Sequence, residues 1–422
     1  HDVLAQFNLL DQGTTLQIVH FPPTRPDLEG AIHRLAFDEL YTLQKKALSN
    51  RELTQVKTDP LLCPTETLNH WLTGLPFTPT PSQRRAISDI SSDLARPVSM
   101  HSLLQGDVGS GKTLVAATAA FVAHTANRQT LVLAPTQILA EQLHSAFTQL
   151  LPGLTVSLVT QSSPGDTHAD IVVGTQSLLS PKNSFDSVGL VVVDEQHRFG
   201  VEQRLLLTRF SPAPHFLQMT ATPIPRTLAL TLFSNLDISY LTDSPPGRLP
   251  TKTYFVTPHK RRDAYAWVGR EVAAGNQAFV VVPLIERAED QEISPRASLK
   301  ALEIELTQLF PHLNVDILHG QLKSDDKTTR LRAFRDGHTQ ILVATSMVEV
   351  GIDIPGANIM VIEDAERFGL SQLHQLRGRV GRGGEQGHCL VLTQNESKKI
   401  KERLSYFVSH HDGTELAQYD LA

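Results

Sequence analysis

The sequence predicts an α/β protein with two doubly wound parallel-sheet lobes in tandem and an N-terminal helical arm. Short apolar runs alternate with helical patterns, and this series occurs once on each side of Ser244–Pro250, whose sequence SPPGRLP is typical of a linker. The runs are apolar throughout rather than at every second residue, which indicates sheets covered by helices on both faces. We therefore expect two similar lobes that face each other across one cleft.

The arm precedes the first lobe. After the sequence FPPTRP, apolar residues between positions 27 and 48 recur at the spacing of one helix face. These residues are Leu28, Ile32, Leu35, Leu40, Leu43 and Ala47. We expect four parts in the chain: a helical arm or linker at 1–72, lobe one at 73–245, lobe two at 246–395 and a C-terminal helical stub at 396–422.

Ten apolar runs are the predicted strands. Those of lobe one are SLLQ, TLVLA, DIVVG, GLVVVDE and FLQMT, and those of lobe two are AFVVVP, VDILHG, QILVAT, IMVIED and GHCLVL. Ligands of doubly wound sheets bind outside the carboxyl ends of the strands. Polar residues follow the strands at that edge, as an active cleft requires: Gln105-Gly106, Pro135-Thr136, Gly174-Thr175, Asp194-Glu195, Thr220 to Thr222, His319-Gly320 and Thr345-Ser346.

Composition sets broad limits on function. The formal net charge of −6 does not indicate a nucleic-acid binder, although a cleft can still carry a local basic stripe. Two cysteines are too few for a disulfide framework and fit a reducing compartment. No apolar run approaches the roughly 20 residues that span a bilayer, so we expect a cytoplasmic protein without a membrane. The chain begins His1-Asp2, so we expect a piece of a longer protein.

The segment GDVGSGKT at Gly106–Thr113 matches the phosphate-binding pattern G-x-x-x-x-G-K-[ST]. It follows a predicted strand and precedes a helical pattern. Glycines let backbone N–H groups approach phosphates, and the helix N-terminus adds partial positive charge. Lys112 is expected to reach the β- and γ-phosphates and Thr113 to bind magnesium. The candidate phosphate-binding residues are Gly106, Gly109, Gly111, Lys112 and Thr113.

Two adjacent carboxylates end the buried strand pattern VVVDEQH. Asp194 is positioned to hold magnesium, directly or through water, and Glu195 to orient and deprotonate an attacking water. An isolated acidic pair is usually solvated surface. Here the pair follows three valines in a chain with a phosphate loop, so we predict a hydrolytic centre.

The segment LHQLRGRVGRGG at Leu373–Gly384 places three arginines among glycines in lobe two. Such a run is either a solvated basic turn or an anion-binding element, because guanidinium groups suit phosphate oxygens. A phosphate loop in the other lobe favours the second interpretation. We predict that Arg379 and Arg382 act as catalytic fingers on the γ-phosphate once the lobes close.

Together these motifs resemble the superfamily 2 helicases, specifically the RecG-type ATP-dependent DNA helicases of bacteria. The resemblance covers nearly the whole chain and rests most on VVVDEQHRFGVEQR, MTATPIPRTLAL, ATSMVEVGIDIPGA and LSQLHQLRGRVGRG. It implies RecA-like lobes, ATP and Mg²⁺ as cofactors, and branched or forked DNA as partner. It also implies fork remodelling in recombination and repair by a monomer in the bacterial cytoplasm, associated with the nucleoid.

The resemblance assigns further nucleotide roles. The segment LPFTPTPSQ is similar to the family's adenine-reading motif, with Phe77 stacking and Gln83 hydrogen bonding. Gly351 and Asp353, in the sequence VGID, are expected to reach the nucleotide from lobe two. Gln375 is expected to join the arginine fingers near the γ-phosphate.

The resemblance also implies a DNA track that contacts the backbone of one strand without reading its sequence. Thr220 and Thr222 are expected to couple this track to the nucleotide site. Its predicted contact residues are Pro135, Thr136, Gly174, Thr175, His319, Gly320 and Thr345.

The chain departs from the family pattern in three places. No wedge domain fits before Leu75, the chain ends at ELAQYDLA before an expected translocation element, and GTQSLL has Gln176 where a histidine is expected. We therefore expect a helicase-core fragment. Two alternatives stay open: a transcription-repair coupling type DNA translocase, which favours a different residue at Gln196, and a nucleotide-dependent DNA-binding module without productive unwinding.

Overall fold

The computed structural model describes residues 2–53, 56–160, 164–195, 210–222, 236–243, 249–283, 295–345, 354 and 356–421. Two compact units make up the chain. One comprises His1–Val56 and Arg226–Asp237, of which only residues 236 and 237 of the second stretch are described. The other comprises Lys57–Pro225 and Ile238–Ala422, so it contains both lobes and also residues 57–72.

The N-terminal unit is helical, with α1 Asp2–Gln6, α2 Gln12–His20 and α3 Arg25–Leu53. Asp11 caps α2 by accepting a hydrogen bond from the Thr14 backbone N–H at 3.0 Å. The helix predicted after FPPTRP is present as α3. Much of its apolar stripe is exposed, however, at Ile32, Leu35, Leu40 and Leu43.

Lobe one is built on a seven-stranded sheet in the order β3-β4-β2-β5-β6-β1-β7. Every strand pair whose register the structure defines in this sheet is parallel. Its described elements are α4 Thr65–Thr73, α5 Pro81–Leu94, β1 His101–Gly106, α6 Lys112–Thr125, β2 Gln129–Leu133, α7 Gln137–Leu150, β3 Val156–Val159, β4 Ile171–Gly174, β5 Val188–Asp194, β6 His215–Thr220 and β7 Asp237–Leu241.

Lobe two is built on a six-stranded parallel sheet in the order β10-β11-β9-β12-β13-β8. Its described elements are β8 Lys252–Val256, α8 Arg261–Ala273, β9 Gln277–Val282, α9 Pro295–Leu309, β10 Val315–Leu318, α10 Ser324–Arg335, β11 Ile341–Thr345, β12 Ala357–Ile362, α11 Leu370–Arg377, β13 His388–Leu392, α12 Lys398–Ser409 and α13 Gly413–Leu421.

Helices cover the inner strands of both sheets, as continuous apolar runs predict. Residues of β5 such as Val191 and Val192 are fully buried, and so are Val280 and Val281 of β9. Sequence patterns place all ten predicted strands correctly, and the two parallel-sheet lobes confirm the predicted fold class. Among the described helices, none combines the length and apolar character needed to cross a membrane.

The segment around Asp59, inside the predicted arm but part of the second unit, contacts lobe one at the fully buried His215. The Met100 backbone N–H donates to His215 Nδ1 at 3.1 Å, and Nε2 faces the Asp59 carbonyl oxygen at 3.3 Å. Nδ1 therefore accepts and Nε2 donates, which requires the neutral imidazole. Burial lowers the pKa of His215 and the charge of His101 lowers it further, although the hydrogen bond to the Asp59 carbonyl oxygen opposes the shift.

This histidine predicts an acid-sensitive stability. As pH falls through the usual histidine pKa near 6.5, the unfolded chain takes up a proton before the folded chain does, so unfolding becomes more favourable. We expect the thermal midpoint of the protein to drop between pH 7.5 and pH 5.5. The variant His215→Leu should have a free energy of unfolding about 1–3 kcal/mol lower at pH 7.5, because the Met100 N–H loses its acceptor. Its thermal midpoint should then fall less on acidification. His168→Gln, at an exposed histidine, should keep the full pH dependence.

Candidate active site

The phosphate-loop segment lies at the carboxyl end of β1, between Gly106 and the start of α6 at Lys112. Gly109 and Gly111 adopt φ values of +82° and +83°, in the left-handed region that favours glycine. A Cβ added at Gly111 would lie 2.3 Å from Gln83 Nε2, so a side chain there would displace the buried Gln83 amide. The backbone conformation therefore explains why glycines occupy positions 109 and 111.

The loop offers polar groups to a ligand. Lys112 Nζ donates to the carbonyl oxygens of Gly106 at 2.7 Å and Asp107 at 3.1 Å. Ser110 Oγ is buried and has no hydrogen-bond partner in the part of the chain that the structure describes. A cationic amine, an unsatisfied hydroxyl and the first turn of a helix fit a phosphate group. Thr113, in that turn, is partly buried.

Gln83 fastens the phosphate loop to α5. Its Oε1 accepts from the Thr80 backbone N–H at 2.8 Å, which completes a capping box, and its Nε2 donates to the Ser110 carbonyl oxygen at 2.8 Å. Gln83 is 3% exposed, whereas Phe77 is 47% exposed at the entrance of the same segment. A residue expected to bind adenine thus also holds the loop that would bind its phosphates.

The two carboxylates lie where β5 ends. Glu195 has a φ of +54°, a strained backbone for a residue with a side chain. Its N–H donates to the Met219 carbonyl oxygen at 3.0 Å, and its Oε1 accepts from the Ala221 N–H at 3.3 Å. Burial and the charge of Glu195 raise the pKa of Asp194 to about 6, although Lys112 and Arg379 oppose this.

Arg379 brings positive charge from lobe two to this centre. It is 3% exposed, and its charge acts on Asp194 and on Lys112. Burial lowers the pKa of Lys112; Asp194 and Glu195 oppose that shift, and Arg379 adds to it. A cation, two carboxylates and an arginine of the opposite lobe therefore form one electrostatic cluster.

The three arginines of LHQLRGRVGRGG have different surroundings. Arg377 lies inside lobe two, where Nη1 donates to the carbonyl oxygens of Phe407 and His410 at 3.0 Å each. Its guanidinium lies 4.4 Å from the centre of the Phe407 ring. Arg382 is partly buried, and its Nε donates to the Gly378 carbonyl oxygen at 3.3 Å. The charge of Arg379 acts on both Asp194 and Lys112.

Hydrogen bonds also join the lobes at the predicted coupling residues. Gln375 Nε2 donates to Thr222 Oγ1 at 2.9 Å, and the Thr222 N–H donates to Thr220 Oγ1 at 3.1 Å. On the surface, Arg332 of α10 pairs with Glu141 of α7 at 2.7 Å. The described residues of the two lobes are therefore in contact through these two pairs.

The predicted DNA-track residues lie at strand ends in both lobes. In lobe one, Thr136 Oγ1 caps α7 by accepting from the Leu139 N–H at 3.4 Å, and Thr175 Oγ1 lies 3.0 Å from Ser177 Oγ. In lobe two, Gly320 is exposed, while Thr345 is buried with no described hydrogen-bond partner for its hydroxyl. Pro135 and His319 are partly buried, and Gly174 is buried.

Several predicted residues lie outside the described residues: Gly351, Asp353, Gln196 and the linker centre at 244–248. Within the described ranges, no group of three or more His, Cys, Asp or Glu residues could hold a metal ion. Mg²⁺ typically binds through one or two protein oxygens plus substrate phosphates. The Thr113 hydroxyl and the Asp194 carboxylate are oxygen donors of that kind.

Sequence reasoning missed the contacts that surround the phosphate loop. His374 Nε2 lies 3.0 Å from Asp107 Oδ1, and a Cβ added at Gly378 would lie 3.2 Å from Val108 Cβ. Each residue stands in a quoted motif, but nothing in either motif pairs it with the other lobe. A phosphate-loop sequence in one doubly wound lobe and an arginine of a second such lobe are typical of the class of two-lobed, RecA-like nucleotide-dependent proteins.

Comparison with known proteins agrees with that class. The DEAD/DEAH box helicase family matches residues 80–231, and the helicase conserved C-terminal domain matches residues 262–384. ATP-dependent DNA helicase RecG of Synechocystis is 42% identical over all of this chain, and that of Bacillus subtilis is 40% identical over 98% of it. The chain spans 52% and 63% of their lengths.

A solved structure of RecG bound to a three-way DNA junction superposes on the whole chain with a TM-score of 0.85 at 35% identity, and the chain covers 57% of it. Yeast Dbp5 bound to RNA shares the fold over 85% of the chain, with a TM-score of 0.60 at 17% identity. By these similarities the chain is a relative of the RecG-type DNA helicases over its whole length.

Proposed function

We propose that this chain is the ATP-driven motor of a RecG-type DNA helicase. It would hydrolyse ATP to move on DNA and remodel branched DNA or stalled forks in recombination and repair. The observation that carries the proposal is the cluster in which Arg379 of lobe two acts on Lys112 and Asp194 of lobe one. The RecG relatives support this proposal, and one of them is described as bound to a three-way DNA junction.

Each group of the cluster has a proposed role in phosphoryl transfer. Lys112 would leave the Gly106 and Asp107 carbonyl oxygens and contact the β- and γ-phosphates. Glu195, held by the Ala221 N–H, would orient the attacking water and accept its proton. Arg379 and Arg382 would stabilise charge on the γ-phosphate oxygens in the transition state.

Nucleotide and metal would be held by further proposed contacts. Thr113 and Asp194 would hold Mg²⁺, which neutralises phosphate charge when bound. Gln83 and Phe77 would contact the adenine, and Gly351 and Asp353 would approach from lobe two. The glycines at 106, 109 and 111 give the backbone room to approach the phosphates.

Coupling of hydrolysis to DNA would run through the cross-lobe bond between Gln375 and Thr222, next to Thr220. Phosphates of one DNA strand would lie along the strand ends, contacted by Pro135, Thr136, Gly174, Thr175, His319, Gly320 and Thr345. We further propose the division into parts at 1–72, 73–245, 246–395 and 396–422, and a monomer that works in the bacterial cytoplasm, associated with the nucleoid.

The experiment that tests the proposal measures phosphate release with no DNA, with single-stranded DNA and with a fork. Strong stimulation by DNA is expected, because DNA binding would favour the arrangement in which both lobes contact the nucleotide. Nucleotide binding without DNA-stimulated phosphate release would contradict the motor and favour a DNA-binding module. The variant Arg382→Ala, at a proposed finger, should lose the stimulated rate.

DNA affinity should depend steeply on salt, because phosphate contacts release counterions. For about four phosphate contacts on a single strand, the slope of roughly −0.7 per contact predicts a loss of roughly 50-fold between 50 and 200 mM salt. Fluorescence anisotropy with a labelled oligonucleotide measures this slope. A flat dependence would contradict a track built on backbone phosphates.

A further inference from the structure

Beyond the groups proposed to touch the nucleotide, a buried histidine joins the phosphate loop to the C-terminal helices. His374 is 8% exposed, and its Nε2 lies 3.0 Å from Asp107 Oδ1. Its Nδ1 accepts from Arg377 Nη2 at 3.0 Å. Arg377 has no acceptor to offer, so Nδ1 accepts and Nε2 carries the proton that is donated to Asp107.

The same arginine reaches the end of α12. Arg377 donates to the Phe407 and His410 carbonyl oxygens, the last turn of α12 and the residue after it. These carbonyls lie at a helix C-terminus, where intrahelical N–H partners run out and a cation is favoured. A continuous chain of polar contacts therefore runs from Asp107 through His374 and Arg377 to α12.

The start of α13 packs against the contact between His374 and Asp107. A Cβ added at Gly413 would lie 2.9 Å from His374 Nε2 and 3.1 Å from Asp107 Oδ1. Asp412 fixes that helix start by accepting from the Thr414 and Glu415 N–H groups at 2.7 Å and 3.0 Å. Any residue larger than glycine at 413 would push the helix start away from the pair or separate its two members.

On the lobe-one side, Asp107 belongs to the loop that holds Lys112. Its carbonyl oxygen accepts from Lys112 Nζ, while its carboxylate faces His374. Partial burial opposes ionisation of Asp107, but the hydrogen bond from His374 and the charges of Lys112 and Arg377 outweigh it and leave the pKa below its usual value. The carboxylate is thus available as a charged acceptor for a donor of the other lobe.

We propose that His374 is a positioning residue for ATP hydrolysis, linking the phosphate loop through Asp107 to α12 and α13. This inference rests on the proposed function. The pair holds the lobes in the arrangement that brings Arg379 to the nucleotide, and it makes that arrangement depend on the C-terminal helices. It contributes little to nucleotide binding itself, which the phosphate loop of lobe one supplies.

A double-mutant cycle tests the link. His374→Gln and Asp107→Asn should each lower kcat of DNA-stimulated ATP hydrolysis about tenfold, and the double variant should lose little more, because both remove one interaction. Asp107→Asn also changes the charge near Lys112, and the cycle separates that effect from the loss of the pair. The affinity for fluorescently labelled ADP should stay within about twofold in all three variants.

Gly413→Ala is a second probe that keeps both members of the pair and disturbs only their contact with α13. It should lower kcat in the same direction with unchanged ADP affinity. If His374→Gln fails to fold, Gly413→Ala and Asp107→Asn still test the inference. The Asp107 side chain is half-exposed, so its replacement should be tolerated. His168→Gln, in an exposed histidine–aspartate pair elsewhere in lobe one, is the matched control and should hydrolyse ATP at the wild-type rate.

Strictly additive losses in the cycle, or a wild-type kcat in Asp107→Asn, would overturn the link. A loss of ADP affinity that accounts for the lower rate would also overturn it, since His374 would then support only the fold of the loop. If the wild-type protein itself shows no DNA-stimulated hydrolysis, the proposed function fails. The link is then read from the cycle in thermal midpoint with ADP bound, where coupling between the pair supports it and additivity overturns it.

Discussion

Replacing Arg379 by alanine lowers kcat of DNA-stimulated ATP hydrolysis by about 10³-fold or more, the scale of an arginine that stabilises transition-state charge. The physical reason is its position: a guanidinium from lobe two acts on the Lys112 and Asp194 charges of lobe one. Because this contact matters most once charge develops on the γ-phosphate, ADP affinity should change far less than kcat. Phosphate-release kinetics and labelled-ADP binding measure the two quantities.

Arg335→Ala is the matched control, since Arg335 is a half-exposed residue on α10 that pairs with its neighbour Asp336. It should retain the wild-type rate. Arg379→Lys keeps the charge but loses the planar fork, so it should recover only part of the activity. If Arg379→Ala hydrolyses ATP within a few-fold of the wild-type rate, Arg379 does not stabilise the transition state.

The second large effect is expected for Lys112→Ala, which removes the only cation of the phosphate loop. Hydrolysis should fall by at least about 10²–10³-fold, and nucleotide affinity should fall as well, because Lys112 is proposed to contact phosphates in the ground state and in the transition state. The variant should fold, since Lys112 is partly buried and its partners are carbonyl oxygens of its own loop.

Lys401→Ala, at a surface lysine of α12, provides the comparison and should leave both quantities unchanged. Phosphate release measures the hydrolysis rate of both variants, and titration with labelled nucleotide measures their affinity on the same preparations. Robust hydrolysis by Lys112→Ala would mean that the phosphates bind elsewhere, and it would contradict the proposed nucleotide site.

The sequence predicts the inner strands of both sheets and the edge strand β10, but it misses three strands, β3, β7 and β8. All three are edge strands, with one flank unpaired. Residues such as Ser157 in β3 and Lys252 in β8 interrupt the apolar run, and alternate residues of β8 are exposed. Continuous apolarity marks strands with neighbours and helices on all sides, and these three edge strands lack it.

In the candidate site too, some contacts can be predicted from the sequence and others cannot. Residues within one motif, such as those of the phosphate loop, are predictable because their geometry is set by local backbone and spacing. The pair of Asp107 and His374 is not, because it depends on how one lobe is oriented on the other. Nor do the motifs distinguish the structural Arg377 from Arg379, since both stand in one basic glycine-rich run and differ only in what surrounds them.

The most direct test of the account is a structure of the protein with ADP, Mg²⁺, aluminium fluoride and single-stranded DNA. The fluoride stands in for the γ-phosphoryl group in the transition state. We predict that the guanidinium of Arg379 lies about 3 Å from it, within hydrogen-bond reach, with Lys112 on the opposite lobe also in contact. A complex in which the Arg379 guanidinium stays away from the fluoride would contradict the claim that lobe two completes the active site.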